Sequence, residues 1–192
     1  MNTKTKIANM ALSLLRINAP IIDIDQATVP SAVICKTHID TVIQELLEEH
    51  QWFFANEIAQ LPALDEESKH ENYTCVFKLP SDCLVCRSAQ DRVKYQVIGK
   101  KVYADSETIT IEYTKDIDMS FAPGYFINSC AYYLAFKIAA PLGNSTSKVT
   151  AIFQVFEHSK ESAKQTDAFF SGNDFQDIYT DPNAGHSWLT NR

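Results

Sequence analysis

The chain has 192 residues, 45% of them hydrophobic and 21% charged, which suits one globular domain, or one domain with a tail, able to bury a core without disulfides or metal. Its 17 Lys and Arg against 24 Asp and Glu give a formal net charge of −7, so the surface as a whole is not expected to grip nucleic-acid phosphates. No stretch approaches the roughly 18 apolar residues of a membrane span, and five irregularly spaced cysteines read as reduced, mostly buried thiols of a protein folded in a cytoplasm.

The N-terminus starts basic, but Asn9, Ser13 and Arg16 interrupt the apolar residues after it, so no secretory signal is expected. Residues 3–16 predict a short amphipathic helix with Ile7, Met10, Ala11, Leu14 and Leu15 on one side. Residues 17–28 read as a linker. A long helix is expected over 29–50, with Pro30 in its first turn, where the missing N–H is harmless. Ala32, Cys35, Ile39, Val42, Ile43, Leu46 and Leu47 recur at three- and four-residue spacing, opposite Lys36, Asp40, Gln44, Glu45, Glu48 and Glu49. Trp52-Phe53-Phe54 comes directly after, and an aromatic triplet just past a helix end predicts a pin into the core.

An acidic loop over 62–72 separates this helix from a β region at 73–114. Strands are expected at 73–79, 83–87 and 108–113. A hairpin turning at Gly99 joins 95–98 to 101–103. Short strands and tight turns imply antiparallel pairing. Helices are then expected at 122–140 and 146–171. Asn144-Ser145-Thr146 supplies the N-cap of the second, and Val149, Ile152, Phe153, Phe156, Ala163 and Phe170 its buried stripe. The periodicity is lost from Ser171. The expected class is α+β: a mainly helical core, made of the long helix and a C-terminal helical pair, with a small antiparallel sheet inserted in the middle. Residues 1–172 form the domain and 173–192 a tail. The tail's spaced aromatics, Phe175, Tyr179 and Trp188, predict a segment that orders on a partner, with folding back on its own domain as the alternative.

Charge is uneven along the chain. Residues 40–71 hold nine acids and one lysine, whereas 78–101 hold six bases and two acids. Such a bipolar chain favours head-to-tail contacts between copies. Glu45, Glu48 and Glu49 on one copy would then face Lys100 and Lys101 on the next.

Candidate chemistry is sparse. Cys83-Leu-Val-Cys86 has redox spacing but sits among strands rather than at a helix start. A zinc site would need two more ligands, for which Cys75 and His70 are the nearest candidates. The five histidines form no HExxH pattern. Glu48-Glu49 are neighbours on a helix and point apart, and five glycines supply no phosphate loop. The hairpin 94–103 carries Lys94, Lys100 and Lys101 and can reach a phosphate backbone, although lysines there also guard a sheet edge. No catalytic, metal or cofactor residue is expected.

The order of the pieces is distinctive. Ala11-Leu-Ser-Leu-Leu-Arg-Ile-Asn18-Ala-Pro20 precedes a long helix ending His50-Gln51-Trp52-Phe53-Phe54-Ala55. Leu79-Pro80-Ser81-Asp82-Cys83, Tyr95-x-Val97-x-Gly99 and Ile109-x-Ile111-x-Tyr113 come next. Phe121-Ala122-Pro123-x-x-Phe126 then opens a helix that reaches Ala140-Pro141-Leu142-Gly143. Over about residues 7–172 this resembles the tail tubular protein A family, the head–tail adaptors of short-tailed phages. One step departs from the pattern: Ala122-Pro123 stands where the family often has Asp-Pro, leaving Ser120 or nothing to cap the helix. The resemblance implies a non-enzymatic virion protein of the tail or neck, assembled in the host cytoplasm. It implies a dodecameric ring beneath the portal protein, a continued DNA channel that binds no sequence, and a lower surface for the nozzle, tail tubular protein B. Phe175, Tyr179 and Trp188 of the tail are then expected to order against that portal. It implies no cofactor and no membrane contact. Two alternatives stand beside it: a nucleic-acid-binding accessory protein using the hairpin 94–103, and a small cytoplasmic enzyme using Cys83 and Cys86.

Overall fold

The computed structural model describes residues 2–172. The fold is α+β. Four helices, α1 (Thr3–Leu14), α2 (Pro30–Glu49), α3 (Gly124–Ala139) and α4 (Thr146–Ser171), flank six strands, β1 (Asn56–Pro62), β2 (Cys75–Lys78), β3 (Cys83–Ala89), β4 (Tyr95–Ile98), β5 (Lys101–Ala104) and β6 (Thr108–Lys115).

α3 is the axis of the helical part, with α1, α2 and α4 packed around it. The reason lies in its sequence, Gly124-Tyr-Phe-Ile-Asn-Ser-Cys-Ala-Tyr-Tyr-Leu-Ala-Phe-Lys-Ile-Ala139, which is apolar on nearly every side. The seven α2 residues at helical spacing are all buried. Pro123 precedes α3 with no side-chain cap, so Ser120 does not cap it. Instead Asp118 accepts the Ser120 N–H and holds the turn before. α4 starts under a Ser145 cap and stops at Gly172, whose φ of 77° is the left-handed conformation glycine adopts without strain.

α1 ends at Leu14, two residues earlier than expected. Arg16 adopts φ 60°, and the N–H groups of Arg16 and Ile17 donate to the carbonyls of Ser13 and Leu12. The expected linker is strapped down rather than loose. The Asn9 side chain bonds both the N–H and the carbonyl of Ile21 at 2.8 Å, and Thr5 Oγ1 accepts the Ile24 N–H at 3.2 Å.

The β region differs from the expected single sheet at 73–114. It comprises two three-stranded antiparallel sheets, ordered β1-β6-β3 and β2-β5-β4. Leu61, Phe77, Val102, Ile109, Ile111 and Tyr113, drawn from both, form a second core. Strand β1 falls in a stretch that gave no strand signal. Ile58 in its middle is 54% exposed, so no apolar alternation marks it, and its pairing comes from β6, with Asn56 opposite Thr114.

The join between helical core and sheets is polar. Arg87 of β3 donates from Nη2 to the carbonyls of Leu47, Glu48 and His50 at 2.8–3.1 Å, and from Nε to Thr114 Oγ1 at 2.8 Å. It thereby satisfies carbonyls that the end of α2 leaves without intrahelical partners.

Candidate interaction surfaces

Of the expected copy-to-copy residues, Glu45 and Glu49 are engaged within the chain. Tyr133 donates to Glu45 at 2.5 Å, and Lys137 lies 3.0 Å away. Glu49 meets Lys160 and Lys164 of α4 at 3.1 and 3.0 Å. The Glu48 carboxylate accepts from Gln44 on its own helix. Lys101 pairs with Glu66 at 2.5 Å, so the acidic and basic tracts meet inside one molecule at that point. Lys100 is exposed beside the Gly99 turn. Phe175, Tyr179 and Trp188 lie outside the described residues.

The thiols sit in chemically quiet places. Cys83 and Cys86 are on β3, and burial raises the Cys83 thiol to about 11 and pushes Cys86 up as well. A thiol held protonated is a poor nucleophile. His70 is engaged elsewhere. Its Nε2 lies 2.8 Å from Gln96 Oε1, its Nδ1 accepts the Asn72 N–H, and its ring packs on Tyr73 and Tyr103. Among the described residues no three His, Cys, Asp or Glu side chains gather as metal ligands, and no helix is long and apolar enough to cross a membrane.

No pattern in the sequence marks the buried polar junction between α4 and the turn after α2. Asp167 of α4 is 2% exposed. Its carboxylate accepts the Phe53 N–H at 2.8 Å and the Tyr125 hydroxyl at 2.6 Å, with His50 Nε2 at 3.9 Å. Asp167 sits four residues after the buried Ala163, but the stripe expected on α4 departs from the fold. Of its six residues only Phe156 and Ala163 are buried, whereas Phe153 and Phe170 are exposed, because α3 covers α4 along only part of its length. The pKa of His50 is lowered from the ordinary histidine value. Burial is the largest cause, and Asp167 pulls the other way.

This junction sets an acid limit. The unfolded chain binds a proton at His50 more readily than the folded one, so this contribution is complete above about pH 6.5, the unfolded value, and is lost as pH falls below it. Glu45, lowered chiefly by the Tyr133 hydrogen bond, adds a further loss nearer the ordinary carboxylate range. Glu49 adds to it: burial, the largest single influence, pushes its carboxyl up, but Lys164 and Lys160 together outweigh that push. Melting temperature should therefore be level from pH 7 to 8, decline from about pH 6.5, and drop faster below about pH 4.5. His50→Gln should lack the first decline; a decline unchanged in that variant would remove His50 as its source.

The outer charge pattern is strongly partitioned. All 24 acidic residues lie outside two stretches, 1–22 and 119–156, which hold Lys4, Lys6, Arg16, Lys137 and Lys148. The fold brings those stretches together as α1, α3 and the first turns of α4. Between them runs a groove. One part, about 410 Å³, is lined by Leu14, Arg16, Tyr132, Lys148, Ile152 and Val155. The adjoining part, about 480 Å³, shares Leu14 and Tyr132 and adds Lys6, Met10 and Ala131. The floor is mainly apolar, with Asn9, Ser13 and Asn128 as neutral polar members, the rim carries the bases Lys6, Arg16 and Lys148, and no acid lines either part. Carboxylates gather elsewhere, at Asp40 and Glu48 on α2 and at Glu66, Glu67 and Glu71 before β2.

No family model matches this chain, and no curated protein matches it.

Proposed function

We propose that the chain is a structural adaptor of the tail tubular protein A type. Copies form a ring seated under a phage portal, continue the DNA channel and present a lower face to the tail nozzle. The observation that carries the reading is the split exterior. One part of the surface is a basic-rimmed apolar groove without a single acid, and the carboxylates are gathered away from it. Unlike faces on one chain suit heterologous contacts, which close into rings when the rotation per copy permits. The order of motifs over residues 7–172 supports it too. A net charge of −7 suits a conduit wall, because like charge keeps DNA from adhering.

The test is assembly on the portal encoded with this chain, followed by native mass spectrometry and electron microscopy. The expected product is a closed ring of the chain, one copy per portal subunit, on one end of the portal. The free chain should show no sequence-specific DNA binding. A chain that never associates with the portal at micromolar concentration would sink the proposal.

A further inference from the structure

We propose that the acid-free groove between α1, α3 and α4 is the seat for residues 174–181 of a second copy of this chain. The inference rests on the copy-beside-copy reading above and names the joint.

The groove asks for an occupant both apolar and negative. Leu14, Met10, Ala131, Tyr132, Ile152 and Val155 line its floor, with Lys6, Arg16 and Lys148 at the rim. Lys6 and Arg16 form no salt bridge with any described residue, although other lysines of the protein are paired. Lys148 holds the Leu15 carbonyl at 2.6 Å and so is fixed in place at the end of α1.

Arg16 adds an independent argument. Its φ of 60° is a left-handed conformation, at the position after a helix where glycine is the usual residue because it alone adopts that geometry without strain. An arginine at such a site keeps a side chain at the expense of backbone comfort, and that side chain borders the groove. Strain retained at one residue points to a task for it.

The chain itself contains a segment with the matching chemistry. Asp174-Phe175-Gln-Asp177-Ile178-Tyr179-Thr-Asp181 places three acids and three large apolar residues within eight positions, and no Lys or Arg occurs between Lys164 and Arg192. Distance argues for a neighbour's segment rather than the molecule's own. From Val155, in the groove, to Gly172, at the end of α4, is 17 positions of continuous helix, about 26 Å at roughly 1.5 Å per residue. Extended chain advances about 3.3 Å per residue. In its own molecule the run would be used up covering that distance. A copy placed head to tail delivers the end of α4 directly to the next groove. Phe175 and Tyr179, expected from the sequence to meet the portal, go to the neighbouring copy instead, and Trp188 lies beyond the run.

The experiment uses full chains and reads self-association by sedimentation at low and high salt. The parent should associate at micromolar concentration in low salt and dissociate in high salt, because paired charges at a rim are screened. A groove variant, Lys6→Glu with Lys148→Glu, and a tail variant, Asp174→Lys with Asp177→Lys and Asp181→Lys, should each lose about tenfold or more in affinity for themselves. Mixing them should restore association, since the reversed tail now fits the reversed groove. Arg16→Gly relieves the strain, so it should melt no lower than the parent while associating several-fold more weakly; this variant separates a lost seat from a lost fold. Unchanged association in Arg16→Gly or in either reversed variant, or a mixture that stays apart, would overturn the proposal. So would a monomeric parent whose groove variant alone fails on the portal, because the seat would then belong to the portal. If the reversed variants still build complete rings on the portal, this inference falls and the adaptor reading stands. If the parent associates as described but no portal ring forms, the reverse holds.

Discussion

Trp52→Ala should cost the folded protein about 3–5 kcal/mol, the range for truncating a fully buried large aromatic. Trp52 has no exposed surface. Its ring packs edge-on against Phe126 at 5.1 Å and His50 at 4.8 Å and lies 6.0 Å from Phe54. Its indole N–H donates to the Leu46 carbonyl at 2.6 Å, so truncation also strips a partner from the end of α2. Phe54 is half-buried and shares the Phe126 contact, and alanine there should cost less. Phe53 departs from the expectation of a three-ring pin. The side chain is 56% exposed, and it is its backbone N–H that Asp167 engages. Phe53→Ala should therefore stay within about 0.5 kcal/mol of the parent, as surface changes usually do. Urea denaturation of the three variants checks the ranking. A Trp52→Ala protein as stable as Phe53→Ala would contradict this packing.

The helical half is readable in the sequence where a buried stripe repeats locally, which holds for α2 better than for α4, where only Phe156 and Ala163 of the expected stripe are buried. In α2 the seven residues spaced at three and four are the seven the fold buries, and α4 runs over the expected 146–171. What stayed hidden depends on partners far along the chain. Strand β1 is a strand because β6 lies beside it, about fifty positions later. Ile58 and its neighbours carry no alternation that would announce this. Arg87 looks like one member of a basic tract, yet it holds three carbonyls at the α2 terminus. Glu45 and Glu49 look like a free acidic face because nothing local shows that Tyr133, Lys137, Lys160 and Lys164 approach from α3 and α4. The groove is equally invisible. Its two acid-free stretches are about a hundred positions apart, and only packing α1 on α3 makes them one surface.

Asp167 is the buried acid in that hidden polarity, and Asp167→Ala should destabilise the protein by about 2–3 kcal/mol. A buried donor that loses its acceptor costs about 1–3 kcal/mol, and this change takes the acceptor from two part-buried donors, the Phe53 N–H and the Tyr125 hydroxyl, each of which falls in the lower half of that range. The Tyr125 proton is firmly held: burial first, then the Asp167 hydrogen bond, raises its pKa far above the usual tyrosine value. Neither donor has a ready substitute, because the Phe53 N–H lies in a tight turn between Trp52 and Asn56 and Tyr125 is fixed among Trp52, Phe54 and Phe170. Asp167→Asn separates charge from hydrogen bonding. Its amide oxygen can still accept from one donor or both, but its NH2 must find room near His50, so its loss should be roughly half that of alanine. If the junction mattered only as an ion pair with His50, Asn and Ala would be equally harmful, and raising the pH above 7 would erase both defects, since a neutral His50 has no charge to pair. Equal defects that vanish at pH 8 would therefore assign the stability to the 3.9 Å His50 contact and refute the hydrogen-bond account. Unequal defects that persist there would establish Asp167 as the acceptor that ties α4 to the turn after α2.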